Sequence, residues 1–336
     1  MKPLAAGIFG LSALTLSDEE KRFFEKTNPL GFILFARNCD TPQQVKALIA
    51  DLRALLGRSD VLVLIDQEGG RVARLKPPHW RKVPPAGAFA EIAFQSIADG
   101  RRAAHMNARL IARDLHALGI NVNCGPLADV PVEGAHDIIG DRAFGDDPYQ
   151  VTVLAEAFAR GMLEGGVLPV LKHIPGHGRA RADSHEELPK VEEPLYGLRR
   201  SDFIPFRALA HLPLGMTAHI LYTDIDPNFP ATLSPAAIRL IRDEIGFNGL
   251  LMSDDLSMKA LKGSLSDLTA GTLAAGCDLA LHCNGKMDEM LQVAKKLKPL
   301  SEQAQQRFAT ALAQLKPPID YEFGEAERYL AKAVRA

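Results

Sequence analysis

Three histidines, a lysine and an aspartate lie close together in the chain, directly after an apolar run. The run at residues 167–171 ends in Lys172 and His173, and the polar segment continues to Pro189. A short apolar run bounded by glycines and charges is typical of a strand that is buried on both faces. A long loop with many titratable groups is more often functional than merely connecting. We therefore expect chemistry at the carboxyl end of this strand.

The triplet Asp183-Ser184-His185 in this loop is suited to proton transfer. In an extended chain residues i and i+2 face the same side, so the Asp183 carboxylate can orient the His185 imidazole. A neighbouring carboxylate raises the pKa of a histidine, which suits a group that donates a proton and later accepts one. The plainer interpretation is a surface loop with incidental charges.

Two other segments place carboxylates after apolar runs. In Asp66-Gln-Glu-Gly-Gly-Arg-Val-Ala-Arg74, the two glycines let the backbone pass close to a ligand, although a structural Asp66–Arg74 bridge in a tight turn is an equal alternative. In Ser253-Asp254-Asp255, Asp254 is suited to be a nucleophile or a metal ligand, and we expect Asp255 to be structural. Arg142 lies in a long loop, where arginines are usually solvated.

Eight apolar runs alternate with helical patterns along the chain. Three helices are predicted to begin with an N-cap residue followed by proline, at Thr41-Pro42, Asp147-Pro148 and Ser234-Pro235. Eight buried strands that each precede a helix are the count of a (β/α)8 barrel, in which the strand carboxyl ends converge on one face. Seven of the eight predicted strands end in polar groups there. The predicted strands are 5–10, 31–35, 61–65, 120–123, 167–171, 214–218, 249–252 and 278–282.

The totals indicate one α/β domain over residues 1–336, a TIM barrel with extra C-terminal helices at 301–315 and 325–334 that pack against its outside. A formal net charge of -2 gives no reason to expect nucleic acid or an anionic membrane as a partner. The four scattered cysteines form no C-x-x-C pair and are typical of reduced thiols in a cytosolic protein. The start of the chain resembles a signal peptide, but we interpret Ala5–Gly10 as the first strand.

Four motifs, in this order, resemble those of glycoside hydrolase family 3, and specifically of its single-domain bacterial β-N-acetylglucosaminidases. The resemblance covers nearly the whole chain, and the histidine motif with the following Asp-Ser-His is the most specific part. The motifs are Asp-Gln-Glu-Gly-Gly-Arg-Val at 66–72, Lys-His-x-Pro-Gly-His-Gly at 172–178, Asp-Ser-His at 183–185 and Ser-Asp-Asp-Leu-Ser-Met at 253–258.

The resemblance implies a retaining mechanism with Asp254 as the nucleophile and His185, held by Asp183, as the general acid/base. It implies a small glycan or muropeptide substrate, no cofactor and no metal, and a cytoplasmic monomer. Such an enzyme releases N-acetylglucosamine from 1,6-anhydromuramoyl (peptide) fragments during cell-wall recycling. The positions that match sugar-binding residues are Asp66, Arg74, Arg142, Lys172 and His173.

Three alternatives stay open at this point. His173, His219 and a late aspartate could hold zinc in a metal-dependent barrel hydrolase. The barrel could also bind glycans without turnover, or act as a glycoside phosphorylase with the same histidine. Within the family interpretation, Arg179 and Arg181 make the catalytic loop basic, which leads to the hypothesis that they favour an anionic leaving group.

Overall fold

The computed structural model describes residues 2–184 and 186–334 and has a closed barrel of eight parallel strands at its centre. Each strand pairs with its neighbours in chain order and the first pairs with the last, so all carboxyl ends lie at one end of the barrel. The predicted (β/α)8 TIM barrel is confirmed. The barrel strands are β1 Ala5–Gly10, β2 Pro29–Leu34, β3 Leu62–Ile65, β4 Val122–Asn123, β5 Leu168–Ile174, β6 Leu214–Thr217, β7 Leu250–Asp255 and β8 Leu279–His282.

Both faces of the barrel sheet are apolar, which explains why its strands are continuous apolar runs. Ile8, Leu64 and Val170 belong to a cluster that fills the barrel interior. Their chain neighbours Phe9 and Leu171 belong to the cluster under the surrounding helices. This alternation follows from the two-residue period of a strand, and covering both faces is typical of parallel sheets.

Helices surround the barrel and begin where the sequence provides caps. The Ser17 side chain accepts a hydrogen bond from the Glu20 amide in a full capping box. Thr41, Asp147 and Ser234 each cap a helix with proline in its first turn, as predicted. Within the described residues the helices are α1 Asp18–Thr27, α2 Pro42–Leu56, α3 Ala86–Gln95, α4 Ile97–Leu118, α5 Pro148–Glu164, α6 Leu195–Arg200, α7 Phe203–Ala208, α8 Pro235–Asp243, α9 Leu265–Ala275, α10 Met287–Ala294, α11 Glu302–Gln314 and α12 Phe323–Ala333.

The two C-terminal helices have different roles. Helix α12 packs against α4 on the outside of the barrel, as predicted. The same prediction for the segment 301–315 was wrong, because Phe308 and Ala311 of α11 belong to the cluster that fills the barrel interior. The Leu300 amide donates to the Leu4 carbonyl at 2.8 Å, just before β1 begins. Helix α11 therefore closes the barrel at the amino ends of its strands.

Two small sheets stand apart from the barrel and support its loops. After β3, Gln67–Gly69 and Val72–Ala73 form an antiparallel hairpin. The proline-rich segment 76–85 contacts it through a Gly70–Val83 hydrogen bond of 2.9 Å. After the long loop that follows β5, Lys190–Val191 pairs with Leu221–Tyr222. No helix within residues 2–184 and 186–334 has both the length and the apolarity needed to cross a membrane.

We predict that Phe308→Ala destabilises the protein by about 3–5 kcal/mol, because it opens a cavity where α11 plugs the barrel. The Phe308 side chain is only 5% exposed. The matched control is Tyr149→Ala, at a residue that is 69% exposed, which should change stability by less than about 0.5 kcal/mol. Urea unfolding measures both variants, and equal effects would refute the role assigned to α11.

Candidate active site

A cavity of about 430 Å³ opens at the carboxyl ends of the strands. Side chains from the barrel interior, such as Ile33, Met216 and Leu281, line its apolar part. Strand ends and the loops after them supply the polar part. The charged and imidazole side chains that line it are Arg37, Asp66, Arg71, Arg74, Arg142, Lys172, His173, His177, Asp254 and Asp255.

A network of five ionised side chains lies along one side of the cavity, and four of them line it. The Lys172 ammonium lies 3.1 Å from an Asp66 carboxylate oxygen and 2.6 Å from one of Glu68. Arg74 donates to the other Asp66 oxygen at 3.0 Å. Arg142 donates to both Glu68 oxygens, at 2.9 and 2.8 Å, in the bidentate geometry that arginine favours with carboxylates. The Asp66–Arg74 bridge therefore exists, and both residues also face the cavity.

These contacts keep the network ionised although it is buried. Burial alone would raise the pKa of Asp66 and of Glu68. Lys172 and Arg74 instead lower the pKa of Asp66, and Arg142 and Lys172 lower that of Glu68. Burial would likewise lower the pKa of Lys172 and Arg142, but the facing Glu68 carboxylate outweighs it and raises both. Four charges that would each be costly to bury alone are thus stable together.

His173 is held in the cavity by Asp129, a residue in the loop after β4 that the sequence interpretation missed. One Asp129 oxygen lies 2.8 Å from His173 Nδ1, and the other accepts the backbone N–H groups of His173 and His177 at 3.2 and 2.7 Å. Asp129 is fully buried; burial would raise its pKa, but His173 lowers it. Because Nδ1 is engaged by Asp129, Nε2 is the nitrogen that can face a ligand. The Lys172–His173 peptide bond is cis, and both side chains line the cavity as predicted.

Asp254 and Asp255 end β7, which extends three residues beyond its predicted end. Asp254 lines the cavity and accepts the backbone N–H of Asp255 at 2.8 Å. Burial would raise the pKa of Asp254, but His173 and His219 lower it, so that the carboxylate is ionised at neutral pH. Asp255 accepts hydrogen bonds from Ser257 and from the Cys283 amide, which confirms its predicted structural role.

The loop after β5 is anchored at the centre of the Asp-Ser-His triplet. Ser184 is buried, its hydroxyl lies 3.2 Å from His177 Nε2, and its carbonyl accepts the Ala260 N–H at 3.2 Å. Burial and the nearby His173 lower the pKa of His177 to about 4, so the ring that contacts Ser184 is neutral at pH 7. Asp183 precedes this anchor. His185 lies outside the described residues, and its pairing with Asp183 stays a prediction.

Several polar strand ends do not face the cavity. Asn38 and Asn123 hold neighbouring loops through buried hydrogen bonds, and His282 contacts Glu289 at 3.2 Å. His219 lies 2.7 Å from the Thr232 hydroxyl through Nδ1 and 3.0 Å from the Asp255 carbonyl through Nε2. Both of its nitrogens are thus engaged, which disfavours it as a zinc ligand. Within the described parts of the chain, no three His, Cys, Asp or Glu side chains are grouped to hold a metal.

The contacts of Arg179 disfavour the hypothesis that it selects an anionic leaving group. The Arg179 guanidinium is 2.7 Å from the buried Asp202 carboxylate and 3.2 Å from Glu193. These ion pairs join the loop to the residue that precedes α7. Arg181 is exposed and is not among the residues that line the cavity.

Known proteins resemble this chain in sequence and in structure. Residues 8–315 match the family model described as glycosyl hydrolase family 3 N terminal domain. A beta-hexosaminidase of Methylococcus capsulatus is 39% identical over 282 residues, which are 82% of each chain. A beta-hexosaminidase of Pseudomonas aeruginosa is 37% identical over 286 residues, which are 83% of this chain and 82% of the Pseudomonas chain. Native NagZ of Neisseria gonorrhoeae, and its complex with N-trifluoroacetyl-D-glucosamine, each superpose with a TM-score of 0.88 at 29% identity, covering 99% of this chain and 98% of theirs.

We predict that Glu68→Gln destabilises the protein by about 3–5 kcal/mol, because it leaves Lys172 and Arg142 buried with too few counter-charges. The matched control is Glu325→Gln, which removes an exposed ion pair with Arg102 and should cost less than about 1 kcal/mol. Urea unfolding at pH 7 measures both.

The same variant has a defined pH signature. Folding lowers the pKa of Glu68, so its ionisation stabilises the fold above the unfolded carboxyl pKa of about 4.3, and this stabilisation is lost as the pH falls. The free energy of unfolding should therefore fall less steeply below about pH 4.5 in Glu68→Gln than in the original protein. Parallel pH profiles would contradict this account of the network.

Proposed function

This chain belongs to glycosyl hydrolase family 3 and is a glycoside hydrolase of the β-N-acetylhexosaminidase type; from that premise we propose that it is a retaining exo-β-N-acetylglucosaminidase that uses Asp254 as its nucleophile. The observation that carries the proposal is the Asp254 carboxylate, which shares one cavity with the charged network on β5 and in the segments after β3 and β4. An ionised carboxylate beside an ordered set of hydrogen-bonding groups is what a glycosyl-enzyme mechanism requires.

The charged network is suited to bind a sugar ring. Sugar hydroxyls both donate and accept hydrogen bonds, and here Asp66 supplies acceptor oxygens while Lys172 and Arg74 supply donors. We assign His173 to the same ring and Arg142 to the acetamido side. The N-trifluoroacetyl-D-glucosamine bound by the Neisseria enzyme supports a 2-acylamino sugar as the ligand. Because barrel side chains close the inner end of the cavity, a terminal sugar enters and the remainder of the glycan points outward.

The reaction proceeds in two displacements at the anomeric carbon. In the first, an Asp254 oxygen forms a bond to that carbon while the glycosidic oxygen leaves with a proton from His185. In the second, His185 takes a proton from water, which attacks the anomeric carbon and releases Asp254. Two inversions give net retention of configuration.

The anchor at Ser184 supports this assignment of the acid/base. Its carbonyl is bound by the Ala260 amide, in the segment that follows β7 and therefore Asp254. The residues on either side of Ser184, Asp183 and His185, are the proposed dyad. Because this hydrogen bond connects the two loops, Ser184, between the two dyad residues in the sequence, is held beside the segment that follows the nucleophile. We assign Asp183 the task of orienting His185 and stabilising its cationic form.

The substrate we propose is a cell-wall fragment. An exo-acting β-N-acetylglucosaminidase of this family would release N-acetylglucosamine from 1,6-anhydromuramoyl sugars and their peptides, a recycling reaction of the cytoplasm. We propose in addition that the enzyme acts as a monomer. Neither a metal nor a cofactor takes part in the steps proposed here.

We predict that a slow, fluorinated N-acetylglucosaminyl substrate labels the peptide that contains Asp254, because the ester intermediate accumulates when its hydrolysis is slowed. Mass spectrometry of the digested enzyme locates the label. Asp254→Asn should lose more than about 10⁴-fold in kcat, since an amide cannot form the ester. A label on another peptide, or turnover without a label, would remove this mechanism.

We predict that Asp183→Asn lowers kcat/KM about 10²- to 10⁴-fold for alkyl glycosides, whose leaving oxygen needs a proton. For a dinitrophenyl glycoside, which departs without protonation, bond cleavage should be much less affected, and added azide should restore turnover by attacking the intermediate without a base. Glu187→Gln, an exposed acid in the same loop, is the matched control. Equal losses on both substrate classes would argue against an acid/base dyad.

Product analysis with and without phosphate separates hydrolysis from phosphorolysis.

A further inference from the structure

The cations that line the cavity are not equally neutralised. Arg74 and Lys172 pair with Asp66, and Lys172 pairs also with Glu68. Arg142 and Arg71 pair with Glu68 and Asp141 respectively. Arg37, in the short 3-10 turn that follows β2, is the only cavity-lining lysine or arginine for which the described residues provide no carboxylate within ion-pair distance.

Arg37 is nevertheless held firmly in place. Its Nε donates to the Leu11 carbonyl at 2.7 Å, and Nη2 donates to the Cys283 carbonyl. Its guanidinium also lies 4.9 Å from the centre of the Phe35 ring. A rim arginine whose only role was solubility would need no such contacts. Three contacts, from Phe35 just after β2 and from the loops after β1 and β8, instead fix the direction in which its remaining N–H groups point.

These contacts satisfy hydrogen bonds without neutralising the charge. Carbonyl groups carry no net charge, and the nearby Asp255 carboxylate is already bound by Ser257 and the Cys283 amide. Burial lowers the pKa of Arg37, the attraction of Asp255 offsets this only in part, and the proximity of Arg74 lowers it further. An anion that enters the cavity would therefore gain more from Arg37 than from the paired cations.

The position of Arg37 indicates which part of a substrate it would meet. The side chains of the sugar-binding network are between 3% and 24% exposed, whereas Arg37 is exposed at the mouth of the cavity. The Phe35 ring contacts both regions, since Arg74 of the network is also 4.9 Å from its centre. With the terminal sugar in the network, the leaving group extends past Phe35 toward the mouth.

We propose that Arg37 binds a carboxylate on the leaving group and so selects anionic glycosides, a role that rests on the function proposed above. The ligand class is a β-N-acetylglucosaminide whose leaving sugar carries a free carboxylate, such as a lactyl ether acid. Arginine is suited to this because its planar N–H donors match the geometry of a carboxylate. Arg37 replaces Arg179 as the residue that gives the enzyme a preference for an acidic leaving group.

The test is a cycle of two enzymes and two substrates. Original enzyme and Arg37→Gln are each assayed on N-acetylglucosaminyl-1,6-anhydromuramic acid and on its methyl ester, which differ only in the charge of the lactyl group. We expect Arg37→Gln to lower kcat/KM for the acid about 10- to 100-fold, as for loss of a charge-assisted hydrogen bond, and for the ester less than about 3-fold. Arg37→Lys, which keeps the charge, should retain part of the preference.

Controls separate this role from a structural one. Arg71→Gln, at a rim arginine that is already paired, should change acid and ester by the same factor. Equal losses on both substrates in Arg37→Gln, or no loss on either, would overturn the proposal. If Arg37→Gln does not fold, the acid/ester ratio of the original enzyme decides, since it should fall toward one as salt screens the attraction. Failure of the original enzyme to hydrolyse the neutral 4-nitrophenyl N-acetylglucosaminide would instead refute the proposed function.

Discussion

The active-site end of the barrel depends on the buried ammonium of Lys172. A lysine side chain that is 3% exposed is costly unless its charge is compensated, and here Asp66 and Glu68 approach it from the end of β3 and the hairpin that follows. Glu68 in turn binds Arg142 from the loop after β4. Lys172 and Glu68 thus connect β5 to the loops after β3 and β4, and the Arg71–Asp141 and His173–Asp129 contacts join the same segments. Because each charge is stable only in the presence of the others, the wall of the site forms as a unit.

The barrel itself could be predicted because its causes are local in the sequence. Continuous apolar runs, proline-assisted caps and the count of eight are all visible without coordinates, and all eight strands occur where they were expected. Strand ends were less predictable. Lys172 and Asp254 belong to strands that continue past their apolar runs. Asn123 and His219 also stand at predicted strand ends, but their polar groups hold the fold, because a sequence does not show which hydrogen-bond partners surround a strand end.

Other parts of the site depend on contacts between distant segments. Asp129 is followed by more than forty residues before His173, and only the fold brings the two together. A single buried aspartate in the apolar stretch after β4 was the one available signal. Glu68 stood within a recognised motif, yet its bidentate contact with Arg142 is visible only in three dimensions. Helix α11 illustrates the same limit, since an amphipathic pattern shows which face is apolar but not whether that face meets another helix or the end of a barrel.

The division between paired and unpaired charges accounts for the roles assigned to the acids in the cavity. Asp66 is bound by two cations, which largely cancel the electric field of its negative charge. It therefore presents an oriented acceptor oxygen to a sugar hydroxyl. Asp254 accepts only the Asp255 N–H among the described residues, so its charge is not cancelled by a bound lysine or arginine. The transition state of glycoside hydrolysis develops positive charge at the anomeric carbon, which such a carboxylate stabilises far better than a neutralised one. Asp255, one residue further, shows the contrast, because its oxygens are engaged by Ser257 and Cys283 and remain part of the scaffold.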